Sequence, residues 1–223
     1  MIVDFHAHIL PKIDHGSSSL ETSINQLELA RRYGVTDIVA TSHFYPQSNC
    51  DSAFLDRRDT AFDCLSEKAR EIGVNLLLGA EVLMCSAIHS HPQIDRLCIR
   101  GTKTLLLELP FTDFQTEYCR SIFNLINNGY EIVMAHADRY NPYWIEETIE
   151  AGAKLQLNAK SLSIFSRKKY LTWLENGDVV AIGSDIHGAD KSAYKAFSRA
   201  VKFAAGYSSV TEFSNRILNS KKG

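Results

Sequence analysis

Histidine and acidic residues recur in this sequence directly after short apolar runs, and these residue types bind transition metals. Six of the seven runs end in a His, Asp or Glu. Imidazole nitrogen and carboxylate oxygen, without thiolate, are the ligand set for Zn, Mn or Fe(II), and a bridging carboxylate can hold two such ions close together. The pattern therefore predicts a multinuclear metal site. Its candidate ligands are His6, His8, His43, Glu81, Glu108, His136, Asp185 and His187.

Some of these residues have a simpler interpretation when each is taken alone. A single His136 or Glu108 is typical of a hydrogen-bonded structural residue, although an acid within the apolar run 105–109 is costly unless it is paired or bound to metal. Asp14 lies in the loop after the first run, and the residues alone leave open whether it is a ligand. His89 and His91 flank a turn away from any strand end, so we expect them on the surface.

The seven apolar runs are predicted to be β-strands. They are rich in Val, Ile, Leu and Ala without polar alternation, which is typical of parallel strands buried on both faces. Their carboxyl ends would meet at one rim, where functional residues of α/β barrels gather. The runs cover residues 2–6, 37–41, 75–80, 104–109, 131–135, 154–157 and 179–183.

Amphipathic segments between the strands are predicted to be helices. Ser18 and Glu21 have the spacing of a capping box and would open the first helix, which ends near Gly34. The alternation of strands and helices, with no linker or repeat, predicts a single α/β domain over residues 1–223, most simply a closed or nearly closed barrel. Further helices are predicted at about 53–72, 116–128 and 164–176, with another that begins after Pro142 and ends at Gly152, and one or two more between 189 and 218.

Composition excludes several classes of protein. The 24 basic and 26 acidic residues give a net charge of −2, so no global field favours nucleic acid, and the run Arg167, Lys168, Lys169 is interpreted as a solvated helix face. No apolar stretch is long enough to span a bilayer and no signal peptide is evident, so we expect a cytoplasmic protein without membrane insertion. The 5 cysteines are an odd number without a CxxC motif, which argues against disulfides and a thiolate zinc site.

The ordered motifs resemble those of the polymerase-and-histidinol-phosphatase (PHP) superfamily. They are most similar to the bacterial CpsB/YwqE (CapC-like) tyrosine-protein phosphatases of capsule and exopolysaccharide operons. The resemblance extends from residue 1 to about residue 188. The motifs are His6-Ala7-His8-Ile9-Leu10-Pro11, Ala40-Thr41-Ser42-His43, Gly79-Ala80-Glu81, Leu107-Glu108-Leu109-Pro110, Ala135-His136, Asn158-Ala159 and Gly183-Ser184-Asp185-Ile186-His187.

This resemblance implies a distorted (β/α)7 TIM-like barrel, the PHP fold, with three divalent transition-metal ions. Manganese is the first expectation, with iron and zinc as alternatives. Residue by residue, it implies one ion held by His6, His8, Glu81 and Asp185. A second ion would share Glu81 and take Glu108 and His136, and a third would be held by Asp14, His43 and His187. Asp14 thereby becomes an expected ligand.

The resemblance also implies an activity, namely hydrolysis of phosphotyrosine by metal-activated hydroxide. The substrate would be a membrane-attached bacterial tyrosine kinase that controls polysaccharide export. Arg139, three residues after His136, is placed to bind the phosphoryl group through its planar guanidinium. The alternative for Arg139 is a surface ion pair with Asp138 or another acid.

Three positions depart from the family pattern. His15 stands where the family usually has Asp, Phe44 where it has His, and Lys191 near the position of a phosphate-binding Arg. We expect Lys191 to replace that Arg as a point charge. These departures keep two alternatives open, which are a small-molecule phosphatase of the histidinol-phosphatase type and a catalytically silent metal-binding regulatory protein. The sequence also leaves open whether the protein forms an oligomer.

Overall fold

Two parallel β-sheets form the centre of the protein. The computed structural model describes residues 1–47, 51–111 and 113–220. Within these ranges the sheets have the strand orders β10-β1-β2-β4 and β3-β5-β6-β7-β8-β9, and all neighbouring strands are parallel. The strands are β1 Val3–His8, β2 Asp37–Ala40, β3 His43–Phe44, β4 Asn75–Leu78, β5 Glu81–Leu83, β6 Thr104–Glu108, β7 Glu131–Met134, β8 Lys154–Asn158, β9 Val179–Gly183 and β10 Ile186–His187.

Every residue of β1, β2, β6 and β9 is buried, which confirms the prediction of parallel strands covered on both faces. The sequence did not predict that three strands would be interrupted. β2 is followed by β3 in the other sheet, and the same holds for β4 with β5 and for β9 with β10. Each interruption therefore carries the chain from one sheet to the other.

The helices cover the sheets, and the predicted helices are confirmed apart from the segment at 164–176. The first helix begins differently from its prediction. Its N-cap is Ser19, whose hydroxyl accepts a hydrogen bond from the backbone N–H of Thr22, whereas Ser18 Oγ contacts the hydroxyl of Thr22. The helices are α1 Leu20–Arg32, α2 Asp51–Ile72, α3 Ile94–Leu97, α4 Thr116–Asn127, α5 Pro142–Glu150, α6 Leu171–Glu175, α7 Lys191–Ala204 and α8 Ser208–Asn219.

The predicted helix over 164–176 is wrong in its first half. Residues 163–166 form turns, Arg167–Tyr170 forms a 3₁₀ helix, and α6 begins only at Leu171. Serine side chains explain the difference. Ser166 Oγ donates to the carbonyl of Ser161 over 2.6 Å and lies 2.6 Å from Ser163 Oγ, so these hydroxyls stabilise a turn in competition with helix. Arg167, Lys168 and Lys169 consequently lie on a short turn of 3₁₀ helix and not on the face of an α-helix.

Apolar faces of the helices pack on the sheets to form a continuous core, and α7 contributes Tyr194 and Phe197, both fully buried. No helix in the described ranges is long and apolar enough to cross a membrane. Cys64, Cys85, Cys98 and Cys119 carry free thiols, as the sequence predicts, whereas Cys50 lies outside the described residues.

Candidate metal centre

Glu81 lies at the centre of a buried cluster of histidines. Its Oε2 is 3.2 Å from His6 Nε2, 3.3 Å from His8 Nε2 and 3.0 Å from His43 Nδ1. Its Oε1 is 2.8 Å from His136 Nε2. The Glu81 side chain is 0% exposed, so both of its oxygens face protein groups. One carboxylate thus joins four imidazoles from three segments of the chain, as a bridging ligand would.

Two further carboxylates extend the cluster on opposite sides of Glu81. Glu108 lies 3.5 Å from both His43 Nδ1 and His136 Nε2. Asp185 Oδ1 lies 3.5 Å from His6 Nε2 and 3.3 Å from His8 Nε2.

The edge of the cluster is formed by His187. Its Nδ1 is 3.8 Å from Asp185 Oδ1, and its ring stacks on the ring of His8 with centroids 4.0 Å apart. All eight candidate ligands found at strand ends in the sequence therefore lie in one connected cluster.

Asp14, the ninth predicted ligand, also lies in this cluster. Its Oδ2 is 2.8 Å from His8 Nδ1 and accepts a hydrogen bond from the backbone N–H of His43 over 3.1 Å. Since Nε2 of His8 faces Glu81, the contact at Nδ1 fixes the orientation of the imidazole ring. In this arrangement Asp14 orients the imidazole ring of His8. Direct binding of a metal ion by Asp14 remains a prediction.

Strand geometry explains how these side chains come together. Residues two apart on a strand point to the same face, so β1 presents both His6 and His8 to the cluster. His136 and Asp185 follow β7 and β9, and both have left-handed backbone angles, with φ of 34° and 51°. Side chains other than glycine reach this region only with strain, which is common at functional sites.

Gly183 allows the close approach of β1 and β8 beneath the cluster. A Cβ atom at this position would lie 2.4 Å from His6 Cβ and 2.6 Å from Gln156 Nε2. Both distances are shorter than any ordinary contact, so a larger residue would displace His6.

Two buried polar residues support the histidines and were missed in the sequence. Gln156 Oε1 lies 2.9 Å from His6 Nδ1 and accepts a hydrogen bond from the backbone N–H of His136 over 2.7 Å. Asp4 Oδ1 accepts hydrogen bonds from the backbone N–H groups of Ser184, over 2.8 Å, and His6, over 3.3 Å. The sequence did contain a signal for these two residues, because each is a polar residue within an apolar strand. Asp4 lies two residues before His6, and Gln156 lies two residues before Asn158.

The histidine pKa values reflect the surrounding carboxylates. Burial disfavours the charged imidazole, but the adjacent carboxylates of Glu108 and Glu81 outweigh it and raise the pKa of His43 and of His136 to about 9. The pKa of His8 is raised well above its usual range in the same way, through Asp14, Asp185 and Glu81. His187 differs because burial and the neighbouring His8 lower its pKa to about 4.

The carboxylates shift in the opposite direction. Burial alone would raise the pKa of Glu81, Asp14 and Asp185, but the adjoining histidines hold each of them well below its usual range. The same contacts lower the pKa of Glu108. Asp4 lies deeper, and its burial raises its pKa to about 6. The cluster thus pairs ionised carboxylates with protonated imidazoles, and a bound cation would take the place of the imidazole protons.

The donor set and its spacing fit divalent metal ions. Three groups of residues place one potential ligand atom each within 4.8 Å of one another. In addition, the buried atoms Glu81 Oε2, His43 Nδ1 and His136 Nδ1 have no hydrogen bond of acceptable geometry within the described residues. A metal would satisfy Glu81 Oε2 and His43 Nδ1, which face the centre. The three groups are His6, His8 and Glu81; His8, His43 and His187; and His43, Glu81 and Glu108.

The residues expected to bind phosphate lie in two different environments. Arg139 is beside the cluster, where its guanidinium pairs with Asp185 while its side chain stays 42% exposed. Lys191 is exposed at the start of α7, and no hydrogen bond or ion pair to the predicted ligands is found for it among the described residues. The roles of both residues remain predictions.

His15 and Phe44, which also depart from the family pattern, lie in different environments. His15 is exposed at the mouth of the cluster, and its ring stacks on His187 and His43 at 4.5 Å and 4.9 Å between centroids. Phe44 is fully buried and packs on Phe54, so it belongs to the core.

His89 and His91 lie away from the cluster but are half-buried, which corrects the expectation that they are surface residues. His89 Nδ1 lies 3.0 Å from Ser121 Oγ, and the His91 ring packs edge-on against Phe44. A 3₁₀ helix at Ile88–Ser90 turns both side chains towards neighbouring elements.

Fold and site together define a class of protein, namely α/β proteins that hold divalent metals at the ends of parallel strands. The fold is similar to the solved structures of YwqE from Bacillus subtilis and CpsB from Streptococcus pneumoniae, described as metal-dependent tyrosine phosphatases. That match has a TM-score of 0.77 at 22% identity and covers 97% of this chain and 92% of the other. An adenine deaminase from Arthrobacter aurescens shares the fold more distantly, with a TM-score of 0.53 at 11% identity, 97% coverage of this chain and 93% of the other.

Sequence comparison identifies the family within this class. Residues 2–211 match the family described as capsular polysaccharide synthesis, CpsB/CapC, and the chain belongs to that family. It is 29% identical over 199 residues to the tyrosine-protein phosphatase YwqE of Bacillus subtilis, covering 83% of this chain and 77% of YwqE. It is 25% identical over 209 residues to the tyrosine-protein phosphatase CpsB of Streptococcus agalactiae, covering 85% and 84% of the two chains. The resemblance that the motifs indicated is confirmed.

Proposed function

We propose that this protein is a metal-dependent phosphatase that hydrolyses phosphotyrosine in proteins. The observation that carries the proposal is the convergence of nitrogen and oxygen donors on Glu81, with the half-exposed guanidinium of Arg139 beside them. Phosphate ester hydrolysis needs concentrated positive charge at the phosphoryl oxygens and a positioned water. Membership in the CpsB/CapC family and the names of the relatives support the same activity.

Three divalent ions, manganese foremost, would be held by the nine predicted ligands. Glu81 would be the shared ligand because it contacts the imidazoles of His6, His8, His43 and His136. Bound ions would make a coordinated water more acidic, neutralise phosphoryl oxygens and align the attacking and leaving oxygens. Gln156, through His6, and Asp14, through His8, would hold the rings in the orientation that ligation requires.

Arg139 would bind the phosphoryl group directly. Its guanidinium reaches the inner carboxylate Asp185 while its side chain remains 42% exposed, so it connects the cluster with solvent. A guanidinium has five N–H donors in a fixed plane, and one carboxylate leaves several of them free for phosphate oxygens. Its contact with Asp185 also fixes its position before substrate arrives.

Aromatic side chains at the mouth of the cluster would favour aryl over alkyl phosphates. Phe111 is 57% exposed, and its ring stacks on His136 at 5.9 Å and on Tyr140 at 5.3 Å. Across the cluster, Tyr45 is 36% exposed and stacks on His43 at 5.5 Å. An exposed aromatic ring beside a phosphate site offers a tyrosyl ring a contact that a seryl side chain cannot make.

The physiological substrate would be a tyrosine-phosphorylated, membrane-attached kinase in the control of polysaccharide export, met in the cytoplasm. Family membership in capsular polysaccharide synthesis supports the pathway, and the free thiols suit a reducing compartment. We further propose that the two sheets belong to one domain over residues 1–223 and together form a distorted (β/α)7 barrel.

Comparison of three substrates tests the proposed activity. kcat/KM is measured for a phosphotyrosine peptide, a phosphoserine peptide and histidinol phosphate on Mn²⁺-loaded protein of known metal content. We expect the phosphotyrosine peptide to be preferred by about tenfold or more. A tenfold preference for histidinol phosphate would overturn the proposal, and no turnover of any substrate at full metal content would identify a silent metal-binding protein.

Phe111→Ala tests the origin of the preference for tyrosine. The variant should lose about fivefold in kcat/KM for the phosphotyrosine peptide and little for the phosphoserine peptide. Phe123→Ala is a matched control, because Phe123 is equally exposed, at 56%, but lies on α4. An equal loss on both substrates would show that Phe111 supports the site and does not select the ring.

A further inference from the structure

Two neighbouring surface segments carry strong positive charge and no negative charge. Residues 159–170 and 191–204 contain 8 of the 24 basic residues of the chain and none of its 26 acidic residues. The first segment follows β8 at the rim of the metal centre, and the second is α7. In a chain with a net charge of −2, this segregation produces a local positive field that the overall composition conceals.

The cations of the two segments lie on one surface. On α7, Lys195, Arg199 and Lys202 are exposed and follow one another at intervals of four and three residues, which places them on one face of the helix. The two segments meet at Arg167, whose guanidinium lies 4.7 Å from the ring centroid of Phe203 on α7. We name this surface the basic patch, formed by Arg167, Lys195, Arg199 and Lys202; Lys168 and Lys169 follow Arg167 in the same 3₁₀ helix.

A protruding apolar tip lies within the basic patch. Phe165 is 90% exposed, more than any other bulky apolar side chain of the described residues, and Ile164 is 68% exposed. They lie in the turn at residues 163–166, which the serine hydroxyls stabilise in place of a helix, and Arg167 follows this turn. Beside them Leu162 and Phe203 line a groove of about 440 Å³. Exposing two adjacent large apolar residues to water is unfavourable, which indicates that another molecule or a surface covers them when the protein functions.

We propose that the basic patch and its apolar tip bind the surface of an anionic lipid bilayer. Cations on two elements would face the lipid headgroups, while Ile164 and Phe165 enter the boundary between headgroups and acyl chains. The apolar side chains project from the surface, so they are suited to insert into a bilayer and not to form a groove that binds a partner's side chain. Among the residues that the structure describes, no carboxylate pairs with the cations of the patch, which suits a fluid layer of charge better than one shaped ligand.

Docking in this way would bring the metal centre close to the bilayer. The tip lies in the connection that follows β8, and the predicted ligands also lie at or just beyond strand carboxyl ends. A phosphorylated chain attached to the same membrane would then reach the site from a short distance. The lipid interaction itself requires no hydrolysis and stands independently of the proposed function.

Sedimentation with lipid vesicles tests the proposal. The full chain is incubated with vesicles of neutral phosphatidylcholine or of phosphatidylcholine containing about one quarter phosphatidylglycerol, and the bound fraction is measured against lipid concentration. We expect binding to the anionic vesicles and little to the neutral ones. Absence of binding to anionic vesicles at low salt would overturn the proposal.

Variants separate the two components of the surface. Phe165→Ala should weaken partitioning by about fivefold, and the double variant Lys195→Glu/Arg199→Glu by about tenfold or more. The matched controls are Phe123→Ala for the aromatic residue and the double variant Arg57→Glu/Lys68→Glu on α2 for the charges, and both should bind like the parent chain. Circular dichroism melting and hydrolysis of a small aryl phosphate verify that each variant is folded.

Other occupants of the surface would be recognised by different results. If an acidic polypeptide such as polyglutamate binds, competes with vesicles and depends on Phe165 and Arg199, the surface receives an acidic chain and the lipid proposal is wrong. If size-exclusion chromatography shows a dimer that Phe165→Ala dissociates, the tip is covered by a second copy of this chain. Equal vesicle binding by the controls and the patch variants would likewise refute the proposal.

Discussion

The metal centre and the basic patch both concentrate charge near the rim of the sheets, but they do so under opposite conditions. In the metal centre, carboxylates and imidazoles are buried or half-buried apart from His187, and each lies within 3.8 Å of a partner of the other kind. In the basic patch, the cations are exposed apart from the half-buried Arg167, and no ion pair is found for them among the described residues. Removal of a buried charge leaves its neighbours uncompensated, whereas exposed charges are screened and act almost independently. A single substitution should therefore matter far more in the metal centre.

Glu81→Ala should produce the largest effect. Loss of the carboxylate that joins four imidazoles removes the bridge between ions, so we expect loss of about one metal equivalent or more and a fall of about 10³-fold or more in kcat. Elemental analysis and turnover of an aryl phosphate measure the two effects. Glu67→Ala, at an exposed position on α2, is the control and should change neither. Full metal content in Glu81→Ala would show that Glu81 is not a bridging ligand.

Arg139→Ala should follow, with about a 10²-fold loss of kcat/KM, a higher KM and a lower kcat. The metal content should stay at the parental level, because Arg139 is a predicted phosphate contact and not a predicted ligand. Its ion pair with Asp185 makes elemental analysis the decisive measurement. If the variant loses metal, Arg139 acts by positioning Asp185, and the phosphate-binding role is wrong.

The metal-free protein should lose stability as pH rises. The pKa values of His43 and His136, about 9, and of Asp4, about 6, are raised, so the stability linked to their protonation is present at low pH and disappears as pH passes those values. The lowered pKa values of Asp14, Asp185 and His187 act oppositely. Those of the two acids matter as pH falls below about 4, and that of His187, about 4, as pH falls below its usual value of 6.5. Maximum stability of the metal-free form should therefore lie between about pH 4 and pH 6.

Calorimetry of both forms checks this pH dependence. Between pH 5.5 and 9.5, as approximate limits, we expect Tm of the metal-free protein to fall by about 5 °C or more. Metal binding needs deprotonated imidazoles, so the gain in Tm on adding Mn²⁺ should grow over the same range. A rising Tm for the metal-free protein would contradict the arrangement of charges described for the cluster.

Lys191→Ala should have the smallest effect of the four changes. Lys191 is exposed at the start of α7, and water screens its charge, so we expect a loss of about twofold to threefold in kcat/KM with unchanged metal content. Lys191→Arg should raise kcat/KM slightly if the side chain reaches phosphate. A tenfold loss in Lys191→Ala would place Lys191 in the same class as Arg139.

Strand ends could be predicted from the sequence because the ligand-bearing strands are mostly apolar up to the residues that are predicted to bind metal. His6, Glu108 and His136 each end an apolar run, so a simple local pattern located them. The supporting residues could not be found in this way. Gln156 and Asp4 lie inside strands, and their value depends on contacts across the sheet with His6, His136 and Ser184.

The turn at 163–166 shows a different limit of prediction. Ile164 and its neighbours have helical periodicity, but hydrogen bonds among serine hydroxyls stabilise the turn. Such competition between side-chain and backbone hydrogen bonds is decided by geometry that a pattern of apolar residues does not contain. The exposed position of Phe165 follows from that local competition and was hidden in the sequence.

The interruptions of the strands have a consequence for the order in which the protein assembles. His6 and His8 belong to the four-stranded sheet, whereas His43, Glu81 and Glu108 belong to the six-stranded sheet. A folding intermediate with only one sheet formed lacks half of the donors and gains little from the ions. Metal binding therefore stabilises only the fully assembled chain, which makes unfolding more nearly all-or-none. Release of metal would then report directly that the two sheets have separated.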